Sequence, residues 1–378
     1  MPIKERTLVD IREEMALRAL DERYRLWEVA EIFGTTIPTV RLWRDRYRDG
    51  GRAALVDRSH APMHPRRAID KEIEAWIIAD RQRWGFGSKK ILRRLQDAFP
   101  ERGLPARSSI DELLARHGLN QRRRRKSSSG KPFAARYEAK EPGELSTIDF
   151  KGQFRLRNGH YCYPLTMADR ISRYLLAFQA LRSTSFDETW PIVEKVFRKY
   201  GIPFATQSDN GPPFGATNGK FSRFSVELMS LEIQPIFSRP GVPQDNGAHE
   251  QKHAVMTPFL RDPRSPWRQQ QGVFDAFQYM YNHERPHEGI GMDRPGERYS
   301  GSPRPYPRRR PVPEYELHWE KRKVQPSGEI KWRQDQIFVG HALAGRTIAF
   351  EATDVDVWTV HFHSFRIGKF DAKEKKFV

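Results

Sequence analysis

The chain has 378 residues and a formal net charge of +18, long enough for two to four domains rather than one core. Its single cysteine, Cys162, excludes an internal disulfide framework and any thiolate zinc cluster. No apolar run approaches the roughly 20 residues of a bilayer span, and the charged first thirty residues lack a signal-peptide core, so a cytoplasmic protein without a membrane partner is expected.

The charge is uneven. Residues 1–140 hold 32 Lys and Arg against 20 Asp and Glu, a net +12 of the total. A basic N-terminal third is the footprint of a protein that meets a polyanion.

Three helices are expected over residues 1–60. Leu8, Ile11, Met15, Leu17 and Leu20 mark one face of the first, and Leu26 to Phe33 forms the second. Gly34 can supply the left-handed turn that ends it. Thr36, Pro38 and Thr39 suit the first turn of a third helix, which turns Val40, Trp43 and Tyr47 inward and stops at Gly50-Gly51. Ala30 is small where the helices cross, Gly34 turns the chain, and Val40 anchors the later helix. That spacing suits a helix-turn-helix whose last helix enters the major groove. Thr39, Arg41, Arg44 and Arg48 are its candidate DNA contacts, although an arginine run on a helix is also what a solvated face looks like.

Residues 66–120 suggest a second helix-turn-helix. Ile73, Trp76 and Ile77 fall on one helix, Ile91, Leu92 and Leu95 on another. Ser108 or Ser109 would cap a third that ends near Gly118. Residues 121–140 read as a basic linker. Arg122, Arg123, Arg124, Arg125 and Lys126 followed by serines cannot bury a core, and DNA phosphates are their expected contact.

From 141 to 300 the pattern becomes strand-strand-strand-helix-strand-helix-strand-helix, a mixed α/β sheet. Residues 301–314 form a Pro/Arg-rich linker, extended and stiff. Residues 315–378 alternate apolar and polar short runs, as in EIKW, QIFV and VWTVHF, and suggest a small SH3-like β-barrel with Trp332 and Trp358 in its core.

Three carboxylates stand out in the central region. Asp149 interrupts an apolar strand, where a lone ionised carboxylate costs several kcal/mol unless compensated. Asp209 closes another strand before an Asn210-Gly211 turn, and Glu250 falls on a helix that Asn246-Gly247 can start. Taken singly, Asp-Asn-Gly is a common turn and Glu250 an ordinary solvated residue. Converging, the three would repel one another without a cation, and hard oxygen ligands suit Mg²⁺ or Mn²⁺. Gln244 and Asn246, just before Glu250, are candidates for touching DNA or orienting a ligand. His253, one turn beyond, is a candidate contact to the scissile strand.

The segments TIDFKGQF, SDNGPPF and RPGVPQDNGAHEQKH, with FDAFQYMYNHERPHEGI downstream, resemble the insertion-sequence transposases of the retroviral-integrase superfamily. Between Asp149 and Asp209 lie 59 residues, and between Asp209 and Glu250 lie 40. The resemblance implies an RNase H-like core with an Asp149-Asp209-Glu250 triad holding two Mg²⁺ ions, for which Mn²⁺ substitutes, roughly 3.5–4 Å apart. Asp149 would bridge both ions. It further implies double-stranded DNA as partner, both the element's terminal repeats and a target, and self-association into at least a dimer that holds two ends. The expected reaction is metal-dependent strand cleavage and strand transfer without a covalent protein–DNA intermediate. Gln251, Lys252 and Thr257-Pro258 depart from that family's basic positions after the glutamate, and Pro258 should cut the helix short. A DNA-binding regulator with an inactive core, or a stand-alone nuclease, are the competing readings.

Overall fold

Local capping and short apolar faces set the N-terminal helices. The architecture comes from a computed structural model that describes residues 6–57, 69–120, 137–215, 221–238, 255–260 and 263–377. The chain divides into two compact units, residues 1–71 and 72–378, and each is taken by itself.

In the first unit, α1 (Leu8–Leu20) starts with a capping box. The Thr7 hydroxyl accepts from the Asp10 amide at 3.2 Å, and the Asp10 carboxylate accepts from the Thr7 amide at 2.9 Å, so two orphan N–H groups are satisfied together. α2 (Leu26–Ile32) ends at Gly34 with φ +58°, and α3 (Ile37–Gly50) holds Pro38 in its first turn. Met15, Val29, Ala30, Val40, Trp43 and Leu55 make the core. The inward face of α1 differs from the expected one. Leu8, Leu17 and Leu20 are 66%, 49% and 42% exposed, while Val9, Met15 and Ala19 pack inward. The reason is Arg12, four residues before the buried Ala16: its guanidinium lies 4.0 Å over Trp43 and donates to the Leu55 carbonyl at 2.8 Å. An arginine stem occupies a position where a periodicity search looks for leucine.

The second unit opens with α4 (Lys71–Trp84), α5 (Ser88–Ala98) and α6 (Arg107–Arg116). Ala106, not Ser108 or Ser109, stands at the N-cap of α6, and no side chain caps it. Both serines fall inside the first turn. Arg94 of α5 ties the module together, donating to Asp80 at 2.9 Å and to Glu284 at 2.7 Å. Burial pushes the Asp80 carboxyl up, opposed by the Arg94 charge.

The strands of the sheet are β1 (Leu145–Phe150), β2 (Phe154–Arg155), β3 (Tyr161–Asp169), β4 (Leu175–Leu181), β5 (Ala205–Ser208) and β6 (Gln234–Phe237). They lie in the order β2-β3-β1-β5-β6, with β4 also pairing β3. Up to β6 the sheet follows the expected strand–helix order with one short strand more, β2, while the last expected helix lies largely outside the described residues. β1 runs antiparallel to β3 and parallel to β5, and β5 runs parallel to β6. The parallel joints need crossovers, supplied by α7 (Phe186–Tyr200) and α8 (Arg223–Met229). Ile148, Trp190, Val193, Phe197, Phe224 and Leu228 fill the layer between them and the sheet. On the opposite face Phe178 of β4 stacks at 3.8 Å on Phe274 of α9 (Trp267–Tyr279).

Beyond α9, Asn282 reaches back to β4. Its Oδ1 accepts from the Leu175 amide at 2.8 Å and its Nδ2 donates to the Leu175 carbonyl at 3.0 Å. Residues 302–310 form no regular element yet are laid on the core. Ser302 donates to Tyr200, Arg304 to the carbonyls of Pro203 and Glu232, and Tyr306 to Glu194.

The C-terminal strands β7 (Glu320–Lys323), β8 (Glu329–Trp332), β9 (Asp335–Phe338), β10 (Thr347–Asp354), β11 (Val357–Phe362), β12 (Phe365–Asp371) and β13 (Lys376–Phe377) divide between two antiparallel sheets. One has the order β13-β12-β11-β10-β7, the other is the β8-β9 hairpin. The result is an antiparallel half-barrel, in keeping with the small β-barrel expected here. Trp332 is 3% exposed and packs on Phe350, Phe370 and Trp358. Val226 and Met229 of α8 enter the same core, so the integrity of this sheet depends on the α/β layer. No helix among the described residues is long and apolar enough to cross a membrane.

Two stability effects follow. Asn282→Ala strands the buried Leu175 amide and should cost about 1–3 kcal/mol in urea unfolding; an unchanged midpoint would remove this clamp. Burial, reinforced by the Arg285 charge, pulls His287 down to about 3. The unfolded side chain titrates near 6.5, so the fold loses stability as pH falls through 6.5 toward 3 and keeps it above. Between pH 7 and 5 the loss attributable to His287 should be about 2 kcal/mol. His287→Gln should lack that increment in paired urea titrations at the two pH values.

Candidate active site and nucleic-acid interface

Strand register decides the position of the two aspartates. Leu145, Ser146 and Thr147 of β1 stand beside Ala205, Thr206 and Gln207 of β5. Two residues further along each strand come Asp149 and Asp209, at the same end of two parallel neighbours that lie roughly 4.8 Å apart. Buried polar contacts fix β1 against both neighbours, β5 and β3. The Ser146 and Thr206 hydroxyls meet at 2.9 Å, Thr147 Oγ1 donates to the Ala168 carbonyl, and Thr166 Oγ1 donates to the Asp149 carbonyl at 3.3 Å.

Asp149 is 9% exposed. Asp209 begins a tight turn in which the Gly211 amide donates to its Oδ1 at 3.2 Å. Asn210 Nδ2 donates to the Ser238 carbonyl at 2.5 Å, tying the turn to the end of β6. Burial raises the Asp209 carboxyl above the ordinary range, and the single amide donor only partly offsets it. A charge so placed has a standing demand for a cation. The turn leaves no room for larger residues: a Cβ on Gly215 would fall 2.3 Å from the Asn210 carbonyl oxygen. Beneath it Phe214 packs on Phe150 and Phe224.

Glu250 lies outside the described residues, as do Gln244, Asn246, His253 and the run Arg122 to Lys126. Among the described residues no group of three His, Cys, Asp or Glu is gathered as a metal would need. The structure therefore brings two of the three expected carboxylates to one edge. Residues 255–256 are helical and lead into a 3₁₀ turn, Thr257–Leu260. The α-helix does not run through 258, where the proline was expected to stop it.

Sequence reading missed Lys151. Its ammonium lies 3.4 Å from Thr257 Oγ1 just beyond Asp149, and burial lowers its pKa. The residue is visible in TIDFKGQF, but only the fold shows that the chain after the third segment returns to it. Cys162 is buried, and desolvation pushes its thiol up to about 12, which leaves little thiolate for nucleophilic work.

On α3 the four candidate contacts are unequal. Arg44 is paired with Asp45 at 2.9 Å, Arg48 reaches Asp45 and Asp49, and the Thr39 hydroxyl meets that of Thr36. Arg41 is exposed and has no ion-pair partner among the described residues. It is the residue most available to a phosphate or a base edge.

Family models match the chain in four places. An integrase core domain matches residues 139–243 and 231–295, a helix-turn-helix domain residues 11–63, and a homeodomain-like domain residues 39–114. Residues 139–295 are an integrase core. Helix-turn-helix and homeodomain-like matches thus stand ahead of the integrase-core match along the chain. A Gag-Pol polyprotein of avian reticuloendotheliosis virus is 31% identical over 86 residues, 23% of this chain and only 7% of the polyprotein. Among solved structures, the simian T-cell lymphotropic virus intasome in complex with PP2A regulatory subunit B56 gamma is 12% identical with TM-score 0.39, over 75% of this chain and 91% of that one. The HTLV-2 integrase catalytic core domain in complex with magnesium is 13% identical with TM-score 0.33, over 42% and 98%.

Gly215→Ala should force the Asp209 turn open at a cost of about 1–3 kcal/mol, by the overpacking argument. Hydrogen exchange at the amides of Asn210, Gly211, Phe214 and residue 215 is the direct readout. Wild-type protection there would contradict the crowding described for this turn.

Proposed function

We propose that the chain is a DNA transposase that binds its element's terminal repeats and performs strand cleavage and strand transfer with Asp149, Asp209 and Glu250. The observation that supports it most is the parallel β1–β5 register, which sets Asp149 and Asp209 side by side at one sheet edge. Two carboxylates there, one raised by burial, suit hard divalent cations such as Mg²⁺ or Mn²⁺. Asp149 and Asp209 would hold the ions, with Glu250 as the third carboxylate. When bound, they supply Lewis-acid activation of a water or 3′-hydroxyl oxygen and neutralise charge at the leaving oxygen.

The chain's own residues do the positioning. The Gly211 amide orients the Asp209 carboxylate, Asn210 pins the turn to Ser238, and the Phe150–Phe214–Phe224 stack gives the edge a rigid floor. Arg41 on α3 contacts the repeat DNA, with Thr39, Arg44 and Arg48 beside it once their internal partners are exchanged for phosphates. The basic run Arg122 to Lys126 supplies further phosphate contacts, and Gln244, Asn246 and His253, close to Glu250 in sequence, are further DNA-contact candidates. The domains behind these roles are residues 1–60 and 66–120 for binding, 141–300 for chemistry and 315–378 as a C-terminal support, in a multimer of at least two copies.

The test uses purified full chain, labelled terminal-repeat duplex and Mn²⁺. Joined products are expected from the wild type and none from Asp149→Asn or Asp209→Asn, while duplex binding persists in all three. Joining that survives either substitution would sink the triad. Binding with no joining under Mg²⁺ or Mn²⁺ would point instead to a DNA-binding regulator.

A further inference from the structure

The tight turn between β3 and β4 builds a second basic feature, away from the carboxylate edge. Asp169, 2% exposed, accepts from the Gly143 amide at 2.8 Å and from the Ser172 amide and hydroxyl at 2.7 and 2.6 Å. Its oxygens are thus committed to holding the turn. The two arginines the turn projects, Arg170 and Arg173, have no ion-pair or hydrogen-bonded side-chain partner among the described residues. Arg173 is held at φ +66°, a conformation a non-glycine residue seldom adopts. Burial, with the Arg173 charge beside it, pulls Arg170 below its ordinary value. Two guanidinium groups kept together without a counter-ion cost free energy that an arriving anion would recover.

Both arginines line a cavity of about 690 Å³, together with Lys140, Glu141, Ser172 and Arg298. Arg298 is already paired with Asp293 at 2.6 Å. Glu141 is the one carboxylate on the wall, against four cationic side chains. The Arg170 amide donates to the Leu145 carbonyl, at the start of β1. Asp149 stands four residues on, about 13 Å away at a strand rise of ~3.3 Å per residue, so this cavity is separate from the catalytic edge.

We propose that Arg170 and Arg173 form a phosphate-binding pocket at the base of the sheet, which takes a DNA backbone phosphodiester or a free phosphate group. Guanidinium forks match the oxygens of a phosphate two at a time, which an ammonium cannot do. A cavity of this size exceeds the need of one phosphate and has room for the sugar on either side. The inference does not rest on strand-transfer chemistry: a chain with an inactive triad would keep the pocket.

The experiment compares wild type, Arg170→Ala/Arg173→Ala and Arg170→Lys/Arg173→Lys as full chains. Affinity for a duplex of arbitrary sequence is measured from about 50 to 200 mM salt, where each phosphate contact contributes roughly 0.9 to the log–log slope. Thermal shifts with inorganic phosphate are taken against chloride at equal ionic strength. A slope reduced by about 1–2 in the alanine pair assigns the pocket to DNA backbone. An unchanged slope with phosphate protection lost assigns it to a free phosphate group. Wild-type slope and wild-type phosphate protection in a folded alanine pair overturn the proposal. If the alanine pair does not fold, the lysine pair decides, because it keeps the charge and loses the fork. Weakened phosphate protection supports the pocket, and undiminished protection overturns it. Neither readout depends on strand joining, the assay that tests the triad, so a failure of the triad reading shows up separately.

Discussion

The parallel pairing of β1 with β5 is the constraint on which the rest of the second unit depends. Parallel strands cannot be joined by a hairpin, so the chain must leave β1, complete the β3–β4 antiparallel pair, cross over α7 and return. That route buries Ile148, Trp190, Val193 and Phe197 in one layer, and its apolar area stabilises the pairing far more than the ladder bonds alone. Once the register is set, 59 residues of sequence separation collapse to one inter-strand spacing, and Asp149 and Asp209 share an edge. The Ser146–Thr206 contact is buried polar chemistry at the joint itself, which disfavours a slipped register because slippage would leave both hydroxyls unpaired.

The same sheet has two ends with opposite electrostatics. At the C-terminal end of β1 lie the carboxylates, one of them raised by burial. At its N-terminal end lie Arg170 and Arg173, beside the buried Asp169, which accepts from turn amides and a hydroxyl. A polyanion meeting this unit finds cation-demanding chemistry at one end and, at the other, arginines with no ion-pair partner among the described residues.

Helix α8 links the α/β layer to the C-terminal half-barrel. Phe224 and Leu228 face the sheet, whereas Val226 and Met229 enter the core around Trp332, Phe350 and Phe370. Glu227 on that helix is paired with Arg310 and with Arg346, and Glu232 just beyond it holds His363 at 3.1 Å and Ser364 at 3.0 Å. A short helix with two buried faces cannot shift without disturbing both layers.

Much of this was legible in the residues, for stated reasons. The order of strands and helices after 144 follows from period-two runs with glycine stops, and the helix-turn-helix of residues 6–57 follows from Ala30, Gly34 and Val40 at their required spacing. The inward face of α1 was misread because Arg12 stacks on Trp43, an arrangement hydrophobic periodicity cannot register. The small C-terminal barrel is legible as short alternating strands, but they specify pleat and not closure, which depends on tilt and shear. The Pro/Arg-rich linker is legible as extended, but its course over the core is not, because its anchoring groups, Arg304 and Tyr306, bond to carbonyls and a carboxylate far away in sequence.

What the sequence determined by itself is local: which residues can be helix or strand, where the turns fall, and that Asp149 and Asp209 each sit at a costly place for a carboxylate. What only the tertiary structure decided is adjacency. That the two aspartates are strand neighbours, that Lys151 returns to Thr257, and that Arg170 and Arg173 share a cavity all depend on long-range register. Side-chain period fixes the face a residue occupies, but the partner opposite it is chosen by the packing of the whole layer.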